Sequence, residues 1–221
     1  MILPVDRVLW GLRRAPFFAA IIFLLMPLVG PARAEEDPQR RQLQICLKKA
    51  NDMPDIAAAE ADAWLKRGGG DAALLCRAYA QFYSNEFSKA AADFTRLAET
   101  RKDAKRAALL YAQAGLAWMR AQSYKKSESV YSKALKLETQ DPDIWVDRAA
   151  ERGAAQHYWD AIEDLNAALK IMPDMPEALR LRGDVWFKLG NGKKAEEDFR
   201  RAAEIDAEDK AVGGKTSARA K

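Results

Sequence analysis

The chain has 221 residues, of which 49% are apolar and 31% are charged. This balance is typical of a folded globular protein and excludes a disordered chain or an integral membrane protein. The formal net charge is +4, but residues 1–34 carry +3 and residues 210–221 carry +4, which leaves −3 for residues 35–209. The predicted folded part therefore lacks the basic surplus of a nucleic-acid-binding protein, and we predict no nucleic-acid partner.

The segment 1–34 has the three-part pattern of a secretory signal peptide. Three arginines precede an uncharged apolar run at 15–29, and Pro31-Ala32-Arg33-Ala34 then supplies the A-x-A pattern of a cleavage site. The run is shorter than the roughly 20 residues that a membrane-spanning helix requires, so we expect no stable membrane insertion after cleavage. We therefore predict that this segment is a signal peptide cleaved after Ala34, and that the mature protein is periplasmic or secreted.

Residues 35–70 are predicted to form a degenerate helical hairpin that caps the N-terminal end of the fold. Its two segments, 39–50 and 55–66, are rich in residues of high helix propensity. Asn51-Asp52-Met53-Pro54 separates the two segments, and Gly68-Gly69-Gly70 ends the second one.

The sequence contains two cysteines, Cys46 and Cys76. They fall on the first helices of two successive predicted hairpins, and export would place them in an oxidising compartment, where disulfides form. The sequence leaves two outcomes open, a Cys46–Cys76 disulfide or two free thiols. Because His157 is the single histidine, no cluster suits zinc, and we predict no metal and no other cofactor.

Residues 71–209 contain a pattern that recurs about every 34 residues, a period typical of helical repeat proteins. In the second half of the unit, an aromatic residue or Gly is followed by a small residue, a large apolar residue and, in three copies, a second small residue. The copies are Phe87, Ala90, Phe94 and Leu97; Tyr124, Ser127, Tyr131 and Ala134; Tyr158, Ala161, Leu165 and Ala168; and Gly192, Ala195, Phe199 and Ala202. The first half repeats as Leu74, Arg77 and Ala78; Tyr111, Ala114, Gly115 and Trp118; Trp145, Arg148, Ala149 and Arg152; and Leu179, Arg182, Gly183 and Trp186.

This pattern resembles that of the tetratricopeptide repeat family, whose repeat units are helix-turn-helix hairpins with a W-x2-L-G-x2-Y…A-x3-F…P signature. The resemblance covers residues 71–209 as four units, namely 71–104, 108–141, 142–175 and 176–209. It implies an all-α fold, a right-handed α-solenoid in which stacked hairpins share one continuous core. Large residues are expected to fill the space between units: Trp118, Tyr131, Trp145, Trp186 and Phe199.

The C-terminal segment, 210–221, is predicted to form a basic, disordered tail. It contains Gly213-Gly214, four basic residues and no acidic residue. Such a segment has little apolar surface with which to offset the entropy of ordering.

The resemblance also implies a concave groove lined by the first helices of the units. We predict that the groove binds a protein or peptide partner through Leu75, Tyr79, Phe82, Tyr83, Leu116, Met119, Arg120, Arg180 and Asp184. Aromatic residues, Met and Arg are enriched at protein interfaces, although some of these side chains could instead pack within the stack. Family members that bind a C-terminal carboxylate use a Lys/Asn/Arg clamp, and the matching positions here are Leu75, Tyr79, Gln113, Asp143 and Asp147. A carboxylate would meet acids there, so that ligand is disfavoured.

Catalytic motifs are missing from the sequence, which contains no P-loop, GxSxG or HExxH pattern. His157 is expected to be a solvated turn residue, because no second histidine or nucleophile motif accompanies it. The predicted function is therefore an exported, non-catalytic scaffold or adaptor. The alternatives are a structural subunit of a cell-envelope assembly that uses its convex face, or a carbohydrate-binding accessory factor.

Export yields the first testable prediction. N-terminal sequencing of the protein purified from its native host should begin at Glu35, because the small residues before it fit a signal-peptidase site. A cytoplasmic polypeptide that retains Met1 would contradict the predicted localisation.

Overall fold

The computed structural model describes residues 37–218, and these residues form ten α-helices and no strand. The helices are α1 (Pro38–Asp52), α2 (Pro54–Lys66), α3 (Gly70–Tyr83), α4 (Phe87–Thr100), α5 (Ala104–Arg120), α6 (Tyr124–Leu137), α7 (Pro142–Ala154), α8 (Tyr158–Ile171), α9 (Pro176–Lys188) and α10 (Gly192–Ala218). This confirms the predicted all-α fold. The predicted signal peptide lies outside the described residues, and no helix within them is long and apolar enough to cross a membrane.

The helices pack in the order in which they occur along the chain. Each contacts its immediate neighbours in sequence, and odd-numbered helices also contact one another in the pairs α1–α3, α5–α7 and α7–α9. Contacts limited to near neighbours define a solenoid, in which each hairpin is stabilised by the hairpins beside it. The odd-numbered helices, which are the first helices of the hairpins, form the layer that positions the predicted groove, and α3 and α5 are joined within the stack mainly through α4.

The same turn closes the last four hairpins. The first helix of each is followed, two positions after its last residue, by a residue with positive φ, which is Asn85, Gln122, Gln156 or Gly190. The amide of the following residue donates to a carbonyl on the preceding turn of the helix, as in Glu86 N to Gln81 O at 2.8 Å. This is the Schellman arrangement, which satisfies carbonyls that the end of a helix leaves free.

Within each hairpin the two helices approach at a small residue. A Cβ atom added to Gly115 would lie 2.6 Å from Cε2 of Tyr131, and one added to Gly183 would lie 2.6 Å from Cε1 of Phe199. The hydroxyl of Ser127 donates to the carbonyl oxygen of Gly115 at 2.8 Å, which fastens the same crossing point. The side chain opposite Gly115, Tyr131, is fully buried.

The large residues predicted to fill the space between units differ in burial. Tyr131 and Trp186 are buried as expected, whereas Trp118 and Trp145 are only partly buried. Lys126 Nζ lies 4.3 Å from the centroid of the Trp118 ring, so this ring has a cation on its outer face. Phe199 is 38% exposed, and within the described residues no first helix follows α10 to cover it.

The predicted boundary of the C-terminal tail differs from the structure. Helix α10 continues to Ala218, so residues 210–218, which the sequence analysis assigned to a disordered tail, are helical. Lys210 and Ala211 have high helix propensity. Each of the two glycines that follow costs about 1 kcal/mol relative to Ala, which weakens a helix without ending it.

The N-terminal hairpin of α1 and α2 packs on α3, and a disulfide joins Cys46 of α1 to Cys76 of α3. The Cα atoms of the two cysteines are 5.9 Å apart, within the range that a disulfide requires. Buried apolar residues of α1, α2 and α3 around Trp64 and Ala73 pack together beside the disulfide. The cap is therefore held to the first repeat unit by a covalent bond and by a small apolar core.

Replacement of glycines by alanine tests the close approach of the helices. Gly115→Ala should lower the free energy of unfolding by about 1–3 kcal/mol, because the fully buried Tyr131 ring must shift. Gly153→Ala is the matched control: the nearest atom to its new Cβ would be 4.0 Å away, so stability should rise by up to about 1 kcal/mol. Denaturant unfolding measures both, and equal effects at the two positions would contradict the account.

Candidate protein-binding face

Arginine forks fix the orientation of three first helices. In the first, third and fourth units an arginine donates two hydrogen bonds to an aspartate of the second helix, at the same sequence spacing each time. The pairs are Arg77–Asp93, Arg148–Asp164 and Arg182–Asp198, with N–O distances of 2.7–2.9 Å. The three aspartates are buried, and bidentate pairing is the arrangement that a buried carboxylate requires.

Each of these arginines also contacts the second helix of the preceding hairpin. The Nη1 atoms donate to Asp62 Oδ1 at 2.9 Å, to Ser132 Oγ at 3.2 Å and to Asn166 Oδ1 at 2.8 Å. One guanidinium thus joins two units. The second unit has Ala114 and Val130 at the corresponding positions, and both are buried, so an apolar contact replaces the ion pair there.

The N-terminal half of the predicted groove is aromatic. Phe82 packs edge-on against Tyr83 and Phe87, with ring centroids 5.9 and 5.4 Å apart, and Arg120 lies 5.3 Å from the centroid of Phe87. We call Phe82, Tyr83, Phe87 and Arg120 the aromatic cluster. Phe87 was not among the predicted groove residues, although its alignment with Tyr124 and Tyr158 places an aromatic residue at this repeat position.

The predicted groove residues differ in accessibility. Tyr83 is 45% exposed, and the exposed set also includes Arg120, Arg180 and Asp184. Leu75, Tyr79 and Phe82 are partly buried and pack against the core, as the alternative interpretation expected, and Leu116 and Met119 are also partly buried. Tyr79 packs edge-on against Phe94 at 5.0 Å, and burial raises the pKa of its hydroxyl. The exposed Leu109, on α5, adds a further apolar side chain to this half.

The C-terminal half of the groove is acidic. Burial raises the pKa of Asp147 to about 7, and the carboxylates of Asp143, Glu177 and Asp141 contribute to this rise. Arg180 does not offset these charges, since its Nη1 lies 2.8 Å from Asp206 Oδ2. Asp143 and Asp147 are the acids at the clamp positions that the sequence analysis named, and the charge of Asp143 contributes to the raised pKa of Asp147.

Asp147 lies beside a buried polar pair. Glu151, one turn later on α7, is 2% exposed, and burial followed by the charge of Glu128 raises its pKa to about 7. Burial also raises the pKa of the Tyr131 hydroxyl, and Asp147 and Glu151 contribute to that shift. The Tyr131 hydroxyl and Glu151 Oε2 are buried and lack hydrogen-bond partners. Within residues 37–218, no group of His, Cys, Asp or Glu side chains is arranged to bind a metal ion.

The raised pKa values predict that stability depends on pH. The folded chain holds protons on Asp147 and Glu151 up to about pH 7, whereas the unfolded chain releases them near pH 4. The free energy of unfolding should therefore fall as the pH rises from about 4.5 to 7.5, by up to about 4 kcal/mol for each of the two groups, and then level off. Urea unfolding at several pH values measures this, and the double variant Asp147→Asn/Glu151→Gln should flatten the curve. Glu163→Gln, at an exposed position, is the control. If this variant flattens the pH dependence as much as the double variant does, the assignment is contradicted.

Comparison with known proteins places this geometry in context. A model of the tetratricopeptide repeat matches residues 75–143 and 146–210. The heat shock protein STI1 of Saccharomyces cerevisiae is 30% identical over 103 residues, which are 46% of this chain but only 18% of STI1.

Solved structures share the fold. A crystal structure of MamA superposes with a TM-score of 0.65 at 16% identity and covers 80% of this chain and 99% of MamA. MamA from residue 41 to its end, from Desulfovibrio magneticus RS-1, gives 0.64 at 16% identity, with 77% and 94% covered. At these identities the likeness shows the fold alone. The repeat model matches more than half of the residues of this chain, and the chain therefore belongs to the tetratricopeptide repeat family.

Proposed function

We propose that this protein is an exported, non-catalytic scaffold or adaptor that binds a protein or peptide partner in the groove formed by its odd-numbered helices. The observation that carries the proposal is that large apolar side chains of these first helices are exposed. Tyr83 is 45% exposed and Leu109 is 46% exposed, although neighbouring residues of the same helices are fully buried. Large apolar groups that face solvent add nothing to the stability of the stack, so they favour a binding role.

The aromatic cluster has the composition of an interface centre. The partly buried Phe82 packs edge-on against Phe87 and also against the more exposed Tyr83, which limits the entropy that Tyr83 loses on binding. Arg120 adds a charged donor at the edge of the cluster. Such a donor would orient a partner by hydrogen bonding to its acidic or carbonyl groups.

Export is the second part of the proposal, with a bacterial periplasm as the compartment. The three-part N-terminal pattern supports it. The Cys46–Cys76 disulfide agrees with it, because disulfides persist in oxidising compartments and are rare in the cytosol.

A second candidate function uses the opposite face. Trp159, near the start of α8, is 65% exposed and packs edge-on against Trp186 at 5.8 Å. An exposed tryptophan on a second helix favours attachment through the outer face, as expected for a structural subunit of an envelope assembly.

Paired variants separate the two functions. The double variant Tyr83→Ser/Leu109→Ser should abolish capture of the native partner from an envelope extract, because truncation of interface centres costs about 2 kcal/mol or more each. Quantitative mass spectrometry of the captured material measures this. The melting temperature of this double variant should change little, because both side chains are exposed.

Trp159→Ser is the matched control, since it removes an exposed aromatic side chain from an even-numbered helix. It should leave capture unchanged. If instead Trp159→Ser abolishes capture and the groove variant does not, the outer-face function replaces the proposed one.

A further inference from the structure

We propose that the groove binds a cationic side chain, a lysine or arginine of an extended partner segment, at Asp147. This inference rests on the proposed function and specifies the chemistry of the partner. It reverses the charge preference of family members whose clamp holds a carboxylate.

Asp147 differs from the three aspartates of the arginine forks. Asp93, Asp164 and Asp198 are buried, and each accepts two hydrogen bonds from an arginine of its own unit. Asp147 is half-buried, and the charged groups that shift its titration are all acids. A partly desolvated carboxylate among like charges is unfavourable unless a cation reaches it.

Helix capping explains the neighbouring acids but not Asp147. Asp141 is the N-cap of α7, Asp143 lies in its first turn, and Glu177 lies in the first turn of α9. Acids at these places stabilise the positive end of a helix. Asp147 lies beyond the first turn, where this benefit has ended, so its position needs a different reason.

The Tyr131 hydroxyl provides an independent observation at the same place. It is fully buried, has no hydrogen-bond partner, and lies close enough to Asp147 and Glu151 for both charges to act on it. A buried polar atom without a partner is costly, and it marks a place where binding can rearrange the polar network. The acidic half of the groove therefore has a buried hydroxyl without a hydrogen-bond partner near Asp147.

A basic peptide fits this arrangement better than a metal ion. The acids come from two helices, and within the part of the chain that the structure describes no group of them is spaced to enclose a metal. Phe82 and Tyr83 of the aromatic cluster lie on α3 and Arg120 lies on α5, further toward the N-terminal end of the same helix layer. A segment with apolar side chains at one end and a basic side chain at the other would contact both halves.

Proton linkage gives the proposal a second readout. The titratable groups that act on Asp147 are Asp141 and Asp143 at the start of α7 and Glu177 on α9, and Asp147 in turn raises the pKa of the buried Tyr131 on α6. A bound cation favours the ionised carboxylate, so affinity should increase as the pH rises through about 7. An adventitious surface attraction would lack this dependence.

The test uses the mature exported protein and three fluorescein-labelled peptides of equal length. The peptides share one Leu- and Tyr-containing backbone and differ only at two central positions, which hold Arg, Gln or Glu. Fluorescence anisotropy should show the Arg peptide binding at least about tenfold more tightly than the Glu peptide. Asp147→Asn should reduce that affinity about tenfold and abolish its rise between pH 6 and pH 8.5.

Glu163→Gln is the matched control, because it removes the same charge from an exposed site on α8. It should change affinity less than about threefold. Asp143→Asn provides a second variant, and it cannot fail through lost packing because Asp143 is also exposed. It should likewise weaken binding of the Arg peptide.

Two results would overturn the inference: equal affinity for the Arg and Glu peptides, or equal losses in Asp147→Asn and Glu163→Gln. Neither result affects the proposed function if Tyr83→Ser/Leu109→Ser still abolishes capture of the native partner. If that groove variant retains capture, the proposed function fails, whatever the peptides do.

Discussion

The close approach of two helices within each hairpin is the constraint on which the rest of this structure depends. Gly115 and Gly183 leave room for the rings of Tyr131 and Phe199, and the buried Ala78 and Ala149 occupy the same repeat position in the other units. Because the helices meet so closely, consecutive hairpins stack with one orientation, and their first helices form a single layer. The arginine forks then join each of three units to the hairpin before it.

The repeat itself could be predicted from the sequence, because packing demands small and large residues at fixed spacing. The forks could have been found as well: Arg and Asp recur at one fixed spacing in three units, and Ala114 with Val130 replace both in the remaining one. The surroundings of Asp147 could not be predicted from the sequence, since the burial of this side chain depends on how α6, α7 and α9 meet. Phe199 fits the repeat pattern, but its exposure depends on packing by a further hairpin, and none follows α10 within the described residues.

The groove combines two surfaces of different chemistry on one rigid layer. Its N-terminal half offers the aromatic cluster with Leu109, and its C-terminal half presents carboxylates around Asp147. Apolar anchors supply affinity, whereas charge supplies orientation and discrimination between partners. Both halves belong to helices whose positions the hairpin crossings and the forks determine, so the proposed recognition depends on the same packing as stability.

The central claim is that a partner binds the layer of odd-numbered helices. Amide chemical-shift mapping of the isotope-labelled mature protein, titrated with its native partner, tests this directly. The account predicts the largest shifts on α3, α5 and α7, near Tyr83, Leu109 and Asp147. Shifts concentrated on α4, α6 and α8, centred on Trp159, would contradict it.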